Sequence, residues 1–463
     1  MGLGRAVSLV AEGTPDAMAC ISLEAWILME IRSYTWIRRT REAALAGSFS
    51  TFLWTAFLVT FITQSSLGLG HKVEGRADSD SHGPAWKFDL RSVGFTGFAP
   101  KQEQWGLNLR LNPICFISDD VLIATFITRE EVTTLARRDQ PGELLPLRLH
   151  GIFLDAATGQ VRNTKEWSIT RPRGGIIAAG EGRFVVLTPE ISALYSPKFE
   201  QLKTLSLSSE QRSHLWDLYP SPSGKSLLAE YHYPDALYQW IDTNSLQPQP
   251  AWKDERLPSA VSISDGELTF FSQEFMKSQN VYVNRVIVKS RTGGERVICH
   301  ETGQGASCGI PHFLNNELLA LWMPHGVSVL PKAGGNPLLA ASFHDDEWIG
   351  QLFYPSSDGN RFAVTVWTHK GGSAFLDIDY HAVLKRIVVY DLPSQHVAFT
   401  LDAKQQKIRT VSGVALSPDG SLMAILTDGV VEVYQLPPEH TGAVDLKNGI
   451  LHLQFPLSAK SKP

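Results

Sequence analysis

The sequence predicts an all-β protein made of seven small antiparallel sheets, and three observations support that prediction. Short apolar runs alternate with turns centred on Gly, Asp or Asn through most of the chain. One turn signature recurs at a regular spacing, and a second signature recurs between its copies. Apolar runs joined by such turns are typical of antiparallel hairpins, so each recurrence predicts one small sheet.

The first signature is an apolar run, a tight turn and a second apolar run. Its clearest copy is SPDGSLMAIL at residues 417–426, which leads directly into another turn, Asp428-Gly429. Seven copies occur, at residues 116–126, 178–187, 221–231, 263–271, 313–322, 356–367 and 417–426. Their turn centres (119, 181, 223, 265, 316, 358 and 419) lie 62, 42, 42, 51, 42 and 61 residues apart. A unit of about 40–45 residues with loop insertions accounts for these spacings.

The second signature is an apolar run that ends in Asp and a turn. It occurs as GIFLDAATGQV (151–161), YQWIDTNSL (238–246) and RIVVYDLPSQHV (386–397). The Asp side chain can accept hydrogen bonds from backbone N–H groups of the turn that follows it, which shapes a hairpin. Each unit is therefore predicted to hold four antiparallel strands.

A single four-stranded sheet cannot bury both of its faces. Stacking seven such sheets around an axis buries them, and closing the ring leaves only short edges. The sequence thus predicts a seven-bladed β-propeller of four-stranded antiparallel blades over residues 85–441. A miscounted divergent unit would give six or eight blades, and a β-sandwich pair or a β-helix would also show short strands.

The repeated turns resemble those of the WD-repeat and YVTN-type β-propellers. The resemblance lies in SPDG, SPSG and SSDG, followed by SLMAIL, SLLAEY and RFAVTV, and it covers roughly residues 85–440. The Gly-His and Trp-Asp dipeptides of the true WD repeat are missing, and Leu215-Trp216-Asp217 precedes a turn instead of ending a third strand. The resemblance therefore implies the architecture and no particular subfamily.

The last unit shows only three strands before residue 437, so another segment must complete it. AWKFDLRSV (85–93) has the right length and pattern, and we expect this amino-terminal segment to close the ring. The alternative is GILHLQFPL (449–457), returning from the carboxyl-terminal tail at 442–463.

Residues 1–70 have the pattern of a signal peptide. Four arginines precede an apolar centre at 49–62, and small residues follow it at Ser66, Gly68 and Gly70. A basic region, an apolar region and a small-residue exit predict export to the periplasm or the cell exterior, with Met29 as the suspected true start and 71–84 as a linker. An uncleaved anchor over 43–70 would instead hold the protein at a membrane, and a cytosolic protein with a chance apolar run is a third interpretation.

The net charge bears on which partners are expected, and the cysteines bear on whether a disulfide is expected. The net charge is −5, and no basic stripe is present that could follow a phosphate backbone, so nucleic acid is not an expected partner. Cys299 and Cys308 are close enough in sequence to form a disulfide in an oxidising compartment, and two free thiols are the alternative. Cys115 lies in an apolar run and is expected to be a buried thiol.

Two long insertions predict where binding occurs. Residues 128–146 and 368–382 would both connect the second and third strands of their units, and so lie on one face of the ring. Long loops on a rigid scaffold commonly carry binding residues. Arg137 and Arg138 lie in the first insertion, and His232 and Tyr233 would form an aromatic rim on the same face.

Acidic residues and histidines gather near the second insertion. They are His344, Asp345, Asp346, Glu347, Asp377, Asp379 and His381. Carboxylates in reach of each other can hold Ca²⁺, or a transition metal if imidazoles join them, and Asp345 and Asp379 are the predicted ligands. The alternative is a solvated acidic loop that pairs with Arg137 and Arg138.

These observations predict an exported, monomeric binding or scaffolding module without a resident cofactor, which contacts a protein or glycan partner in the cell envelope. The alternative is a metal-dependent propeller enzyme, similar to lactonases or hydrolases, with carboxylates near the central channel. A membrane-anchored sensor domain is a third hypothesis. GASCG at 305–309 matches the Gly-x-Ser-x-Gly of serine hydrolases, but it lacks the strand–turn–helix context that this chemistry needs.

Overall fold

The structure is a computed structural model. It describes residues 83–96, 112–128, 147–169, 175–188, 192–205, 215–232, 236–253, 261–276, 281–302, 309–323, 326–344, 346–350, 352–370, 381–404, 406, 412–438 and 452–454. These residues form seven sheets, each built on four antiparallel strands and arranged as the blades of a propeller, as predicted; blade 5 has an added strand and blade 6 a divided inner strand.

The first strand, β1 (Trp86–Asp89), belongs to the last blade, and the four antiparallel strands of every other blade follow one another in the chain. Blade 1 comprises β2 (Ile114–Ser118), β3 (Val121–Ile127), β4 (Leu147–Asp155) and β5 (Val161–Ile169). Blade 2 comprises β6 (Gly175–Ala178), β7 (Phe184–Leu187), β8 (Ser192–Tyr195) and β9 (Gln201–Thr204). Blade 3 comprises β10 (Leu215–Pro220), β11 (Ser226–His232), β12 (Ala236–Asp242) and β13 (Trp252–Lys253).

The later blades repeat the pattern. Blade 4 comprises β14 (Val261–Ile263), β15 (Glu267–Met276), β16 (Val281–Ser290) and β17 (Glu295–Thr302). Blade 5 comprises β18 (Ile310–Phe313), β19 (Leu318–Met323), β20 (Gly326–Pro331) and β21 (Leu339–Ser342). Blade 6 has an interrupted inner strand, β22 (Glu347–Ile349) and β23 (Tyr354–Pro355), then β24 (Arg361–Lys370), β25 (His381–Asp391) and β26 (His396–Asp402). Blade 7 comprises β27 (Gly413–Leu416), β28 (Leu422–Thr427) and β29 (Val430–Gln435), with β1 at its outer edge.

Both sequence signatures are confirmed. All seven tight turns join the first and second strands of a blade. At the end of the third strand, Asp155 Oδ1 accepts hydrogen bonds from the backbone N–H groups of Ala157 (3.1 Å) and Thr158 (2.8 Å). Asp242 and Asp391 accept comparable bonds from the N–H groups of Ser245 and Ser394. The Asp turn therefore sets the hairpin of strands three and four, as predicted.

The ring closes through its amino-terminal strand, as predicted. Strand β1 runs antiparallel to β29, with Trp86 opposite Val433 and Asp89 opposite Val430. The Trp86 indole N–H donates to the Ala156 carbonyl of blade 1 at 2.8 Å, so the same residue also ties blade 7 to its neighbour. Gly159 leaves room for this ring, because a Cβ there would lie 2.6 Å from a Trp86 ring atom.

The alternative closure by the carboxyl-terminal tail is wrong. Strand β30 (His452–Gln454) lies within the predicted segment, but it pairs in parallel with β21 at the outer edge of blade 5. The physical reason is that β1 already occupies the outer edge of β29, so its hydrogen-bonding groups are satisfied.

The core is divided among the interfaces between neighbouring blades. Buried apolar side chains of blades 1 and 2 interdigitate around Phe153 and Phe184, and those of blades 5 and 6 pack around Phe362 and Tyr390. The interface of blades 4 and 5 is filled by two smaller clusters, one around Leu321 and one around Leu319. Each sheet thus buries its faces against adjacent sheets, which is the reason the ring is stable.

Polar contacts link neighbouring blades on the side where the first tight turns lie, here called the turn face. The Asp419 backbone N–H donates to Asp119 Oδ1 (2.9 Å) between blades 7 and 1, and Asn316 Nδ2 donates to Asp265 Oδ2 (2.8 Å) between blades 5 and 4. The fully buried Arg361 of blade 6 donates to the Gly420 carbonyl of blade 7 at 2.9 Å and pairs with Asp391 at 3.1 Å. The turn face is therefore held together by its own side chains.

No helix of the described residues is long and apolar enough to cross a bilayer. The predicted signal or anchor at 1–70 and the linker up to residue 82 lie outside the described residues.

Candidate binding face and central cavity

The side opposite the turn face carries the connections between second and third strands and is here called the loop face. In blades 2, 5 and 7 the second and third strands are four to six residues long, and the third strand begins within five residues of the end of the second. In blade 1, β3 ends at Ile127 and β4 begins at Leu147, which leaves the predicted insertion between them. The loop face is therefore uneven around the ring.

The insertion of blade 6 is shorter than predicted. Strand β24 runs to Lys370 and β25 begins at His381, so both ends of the predicted loop 368–382 continue the sheet. The cause is cross-strand pairing, since Thr368 faces Val383 and Lys370 faces His381 in an unbroken ladder.

Blade 4 carries a tall hairpin that the predicted loop face did not include. Strands β15 and β16 have ten residues each, and the end of β15 and the beginning of β16 extend past the point where β14 stops pairing. At the tip, Phe275 and Tyr282 face each other across the strands with ring centroids 4.9 Å apart, and both side chains are exposed. The alternating pattern of VYVNRVIV at 281–288 is the signal that could have predicted this long strand.

A group of charged and aromatic side chains lies in blade 1 near the beginning of β4, the strand that follows the insertion. Glu166 pairs with Arg148 at 2.9 Å and approaches His150 Nδ1 at 3.3 Å. The His150 ring stacks on Phe126, with centroids 4.8 Å apart and planes 10° from parallel. This packing fixes the imidazole at the base of the insertion, another feature that no sequence motif indicated.

Glu347 is not part of a solvated loop, which corrects that interpretation for this residue. It begins β22 and is fully buried. Arg386 donates from both terminal nitrogens to the two carboxylate oxygens of Glu347, at 2.7 Å each, and Lys385 forms a second ion pair with it. Burial raises the pKa of Glu347, but the hydrogen bonds from Arg386 and Lys385 outweigh that effect and lower the pKa to about 2.

The axis of the ring contains a cavity of about 320 Å³, here called the channel cavity. The inner strands β2, β6, β10, β14, β18, β23 and β27 or their flanking residues all line it. None of the described lining residues is acidic or carries a Lys or Arg side chain. The carboxylates that the enzyme hypothesis places near the channel are therefore not among them.

The other predicted site residues fall in different places. His344 precedes β22, Asp346 is exposed beside it, His232 ends β11 and His381 begins β25. Arg137, Arg138, Tyr233, Asp345, Asp377 and Asp379 lie outside the described residues. Trp240, which follows the predicted aromatic rim in the sequence, is buried and stacks on Trp252 with ring centroids 6.4 Å apart.

Metal ligation by the predicted residues stays a prediction. Within the described ranges, no three His, Cys, Asp or Glu side chains come together as a metal site would require. The predicted ligands Asp345 and Asp379 are outside those ranges.

Cys115 and Cys299 are the two cysteines among the described residues. Cys299 lies on β17 and is disulfide-bonded, while Cys308 lies outside the described residues, so their pairing stays a prediction. Cys115 is a free thiol on β2, and its Sγ donates to the Ile176 carbonyl at 3.5 Å. Burial raises the pKa of Cys115 to about 12, so the thiol is neutral near pH 7.

Comparisons with known proteins identify no family. No family model matches the chain, and no curated protein matches it. Among solved structures, an oligogalacturonate lyase in complex with manganese is similar at 12% identity and a TM-score of 0.35, over 53% of this chain and 67% of the lyase. KlHsv2 with loop 6CD replaced by a Gly-Ser linker is similar at 14% identity and a TM-score of 0.35, over 57% of this chain and 78% of that one. Likeness at this level carries no functional inference, and the fold rests on the strand topology itself.

Proposed function

We propose that this chain is an exported β-propeller that binds a protein partner through the loop face. The observation that supports it best is the unevenness of that face, where blades 1, 4 and 6 carry an insertion or long strands while in blades 2, 5 and 7 the third strand begins within five residues of the end of the second. Blades 2 and 3 separate blade 1 from blade 4, and blade 5 separates blade 4 from blade 6. A partner that contacts all three must be large, which favours a folded protein over a short glycan.

The chemistry of the loop face supports the same proposal. Phe275 and Tyr282 present exposed aromatic surface, and Arg285 pairs with Glu274 beside them at 3.1 Å. Lys385 keeps part of its side chain exposed in blade 6. Exposed aromatic side chains with charges around them are typical of protein interfaces, in which aromatic residues and Arg contribute most of the binding energy.

Site-specific photo-crosslinking in the native host tests this proposal. A photoreactive side chain at position 282 should yield a discrete protein adduct, because this position is on the proposed contact surface. The matched control is position 202 on the outer strand β9, where Leu202 is 48% exposed against 37% for Tyr282. Equal labelling at both positions, or an adduct that a glycosidase removes and a protease does not, would contradict the protein-binding proposal.

The subfamily and the enzyme hypothesis receive no further support. The WD-repeat or YVTN-type resemblance stays an expectation, because the turn motifs that carry it indicate a propeller blade and do not distinguish one subfamily from another. We do not extend the proposal to a metal-dependent lactonase or hydrolase, because no described residue of the channel cavity supplies a carboxylate.

A further inference from the structure

The channel cavity differs in chemistry from the loop face. It is lined by residues from all seven inner strands, and the described lining contains no side chain of Asp, Glu, Lys or Arg. At about 320 Å³ its size lies at the lower end of the range for small-molecule pockets.

Two ionisable side chains of the wall, Cys115 and Tyr354, are held in their neutral forms. Burial raises the pKa of the Cys115 thiol to about 12, and burial also raises the pKa of the Tyr354 phenol well above its ordinary value. Neither group offers a charge at physiological pH. These two residues therefore supply no counter-charge to an ionic ligand.

Several polar side chains of the wall are already hydrogen-bonded within the protein. Ser262 Oγ accepts the Phe313 backbone N–H at 2.9 Å, Cys115 Sγ donates to the Ile176 carbonyl, and Asn112 donates to the Val414 carbonyl. The Tyr219 hydroxyl donates to the buried carboxylate of Glu230 behind it. A ligand with many polar groups would find these partners engaged.

Apolar surface remains open to the cavity on blade 6. Leu352 lines the cavity and is 41% exposed, although it is a large apolar residue. The neighbouring Phe353 is half-buried and packs against His312 of blade 5, with ring centroids 5.0 Å apart. Covering such surface is favourable by about 25 cal/mol per Å².

We propose that the channel cavity binds a small, uncharged and largely apolar molecule such as one built on an aromatic ring. A charged ligand would lose its hydration there without gaining an Asp, Glu, Lys or Arg counter-charge from the described lining, which is costly. An apolar ring would instead replace water against Leu352 and Phe353 and leave the internal hydrogen bonds of the wall intact. This site is independent of the loop face and of the protein-binding proposal.

Titration with indole tests the proposal on the intact protein. Indole is the neutral probe, and indole-3-acetate and tryptamine are its anionic and cationic analogues. We expect saturable calorimetric binding of indole with a rise in thermal midpoint, and binding at least tenfold weaker for both charged analogues. Absence of indole binding, or equal binding of either charged analogue, would overturn the proposal.

Two variants test whether indole binds in the channel cavity. Ala178→Leu fills part of the cavity from β6. Leu352→Ser removes exposed apolar surface from the cavity wall without changing a buried side chain of the core. Both should weaken indole binding at least fivefold, while Leu202→Ser on the outer strand should leave it unchanged. If Ala178→Leu does not fold, Leu352→Ser decides the outcome, and unchanged affinity in that variant refutes the site.

Discussion

At the scale of single residues, Glu347 shows how burial decides what a carboxylate does. Its two oxygens accept hydrogen bonds from Arg386, and Lys385 supplies a further ion pair. A carboxylate occupied in this way holds β22 against β25 and has no oxygen left to organise a metal. The same acidic sequence, read without the fold, predicts a solvated or metal-binding loop.

Replacing Glu347 by Gln should destabilise the protein in a pH-dependent way. The pKa of Glu347 is lowered to about 2, so its ionised form stabilises the folded state above the ordinary Glu pKa, and this contribution is lost as the pH falls from about 4.5 towards 2. We expect a loss of about 1.5–3 kcal/mol at pH 7, the magnitude of a hydrogen bond to a charged group, and a smaller difference at pH 3. Chemical denaturation at both pH values measures it, with the exposed neighbour Asp346→Asn as control. A difference that does not change with pH would contradict the ionic explanation.

Asp119 and Asp419 should respond in opposite directions to removal of their charge. Burial and the neighbouring Asp419 carboxylate raise the pKa of Asp119, so its protonated form stabilises the fold at low pH and this contribution is lost as the pH rises through the raised pKa. Burial also acts to raise the pKa of Asp419, but hydrogen bonds from Ser417 and Ser421 lower it overall.

Asp119→Asn is therefore expected to raise the thermal midpoint at pH 7, with a gain that shrinks below pH 4. Asp419→Asn should lower the midpoint at pH 7, because it loses the ionised acceptor of the turn. Thermal melts of both variants across pH 3–8 measure these effects. Destabilisation by Asp119→Asn at neutral pH would show that the shared hydrogen bond outweighs the repulsion.

At the scale of strands, β1 has a role larger than its four residues suggest. It completes blade 7 and reaches blade 1 through the Trp86 indole. The turn signatures predicted this strand from its pattern, because the last unit lacked a fourth strand. They did not predict the tall hairpin of β15 and β16, whose height depends on pairing between two strands and on where β14 ends.

Trp86→Ala should weaken the closure of the ring and so destabilise the fold. Trp86 is half-buried, so we expect a loss of about 2–3 kcal/mol in the free energy of unfolding, below the 3–5 kcal/mol of a fully buried Trp. Leu202→Ala on the exposed outer strand β9 is the control and should change stability by less than about 0.5 kcal/mol. Equal losses of unfolding free energy for the two substitutions in urea titrations would show that Trp86 on β1 does not stabilise the closed ring.

At the scale of the whole molecule, the predicted export signal determines where the propeller would meet its partner. We expect the mature protein to begin just after Gly68 or Gly70, because small residues at these positions follow the apolar centre at 49–62. Amino-terminal sequencing of the protein from its native host measures this directly. A chain that still begins at Met1 or Met29 would contradict cleavage and favour the anchored form.

The sequence by itself predicted the seven blades, their tight turns, the Asp turns and the amino-terminal closing strand, and the structure confirmed each of them. These features are local or recur at a fixed period, so residues near each other in the chain specify them. Only the tertiary structure decided that β30 joins blade 5, that Glu347 is buried between basic side chains, and that the described lining of the channel cavity holds no Asp, Glu, Lys or Arg side chain. The reason is that these properties arise where separate blades or strand edges meet, and such contacts depend on residues tens to hundreds of positions apart.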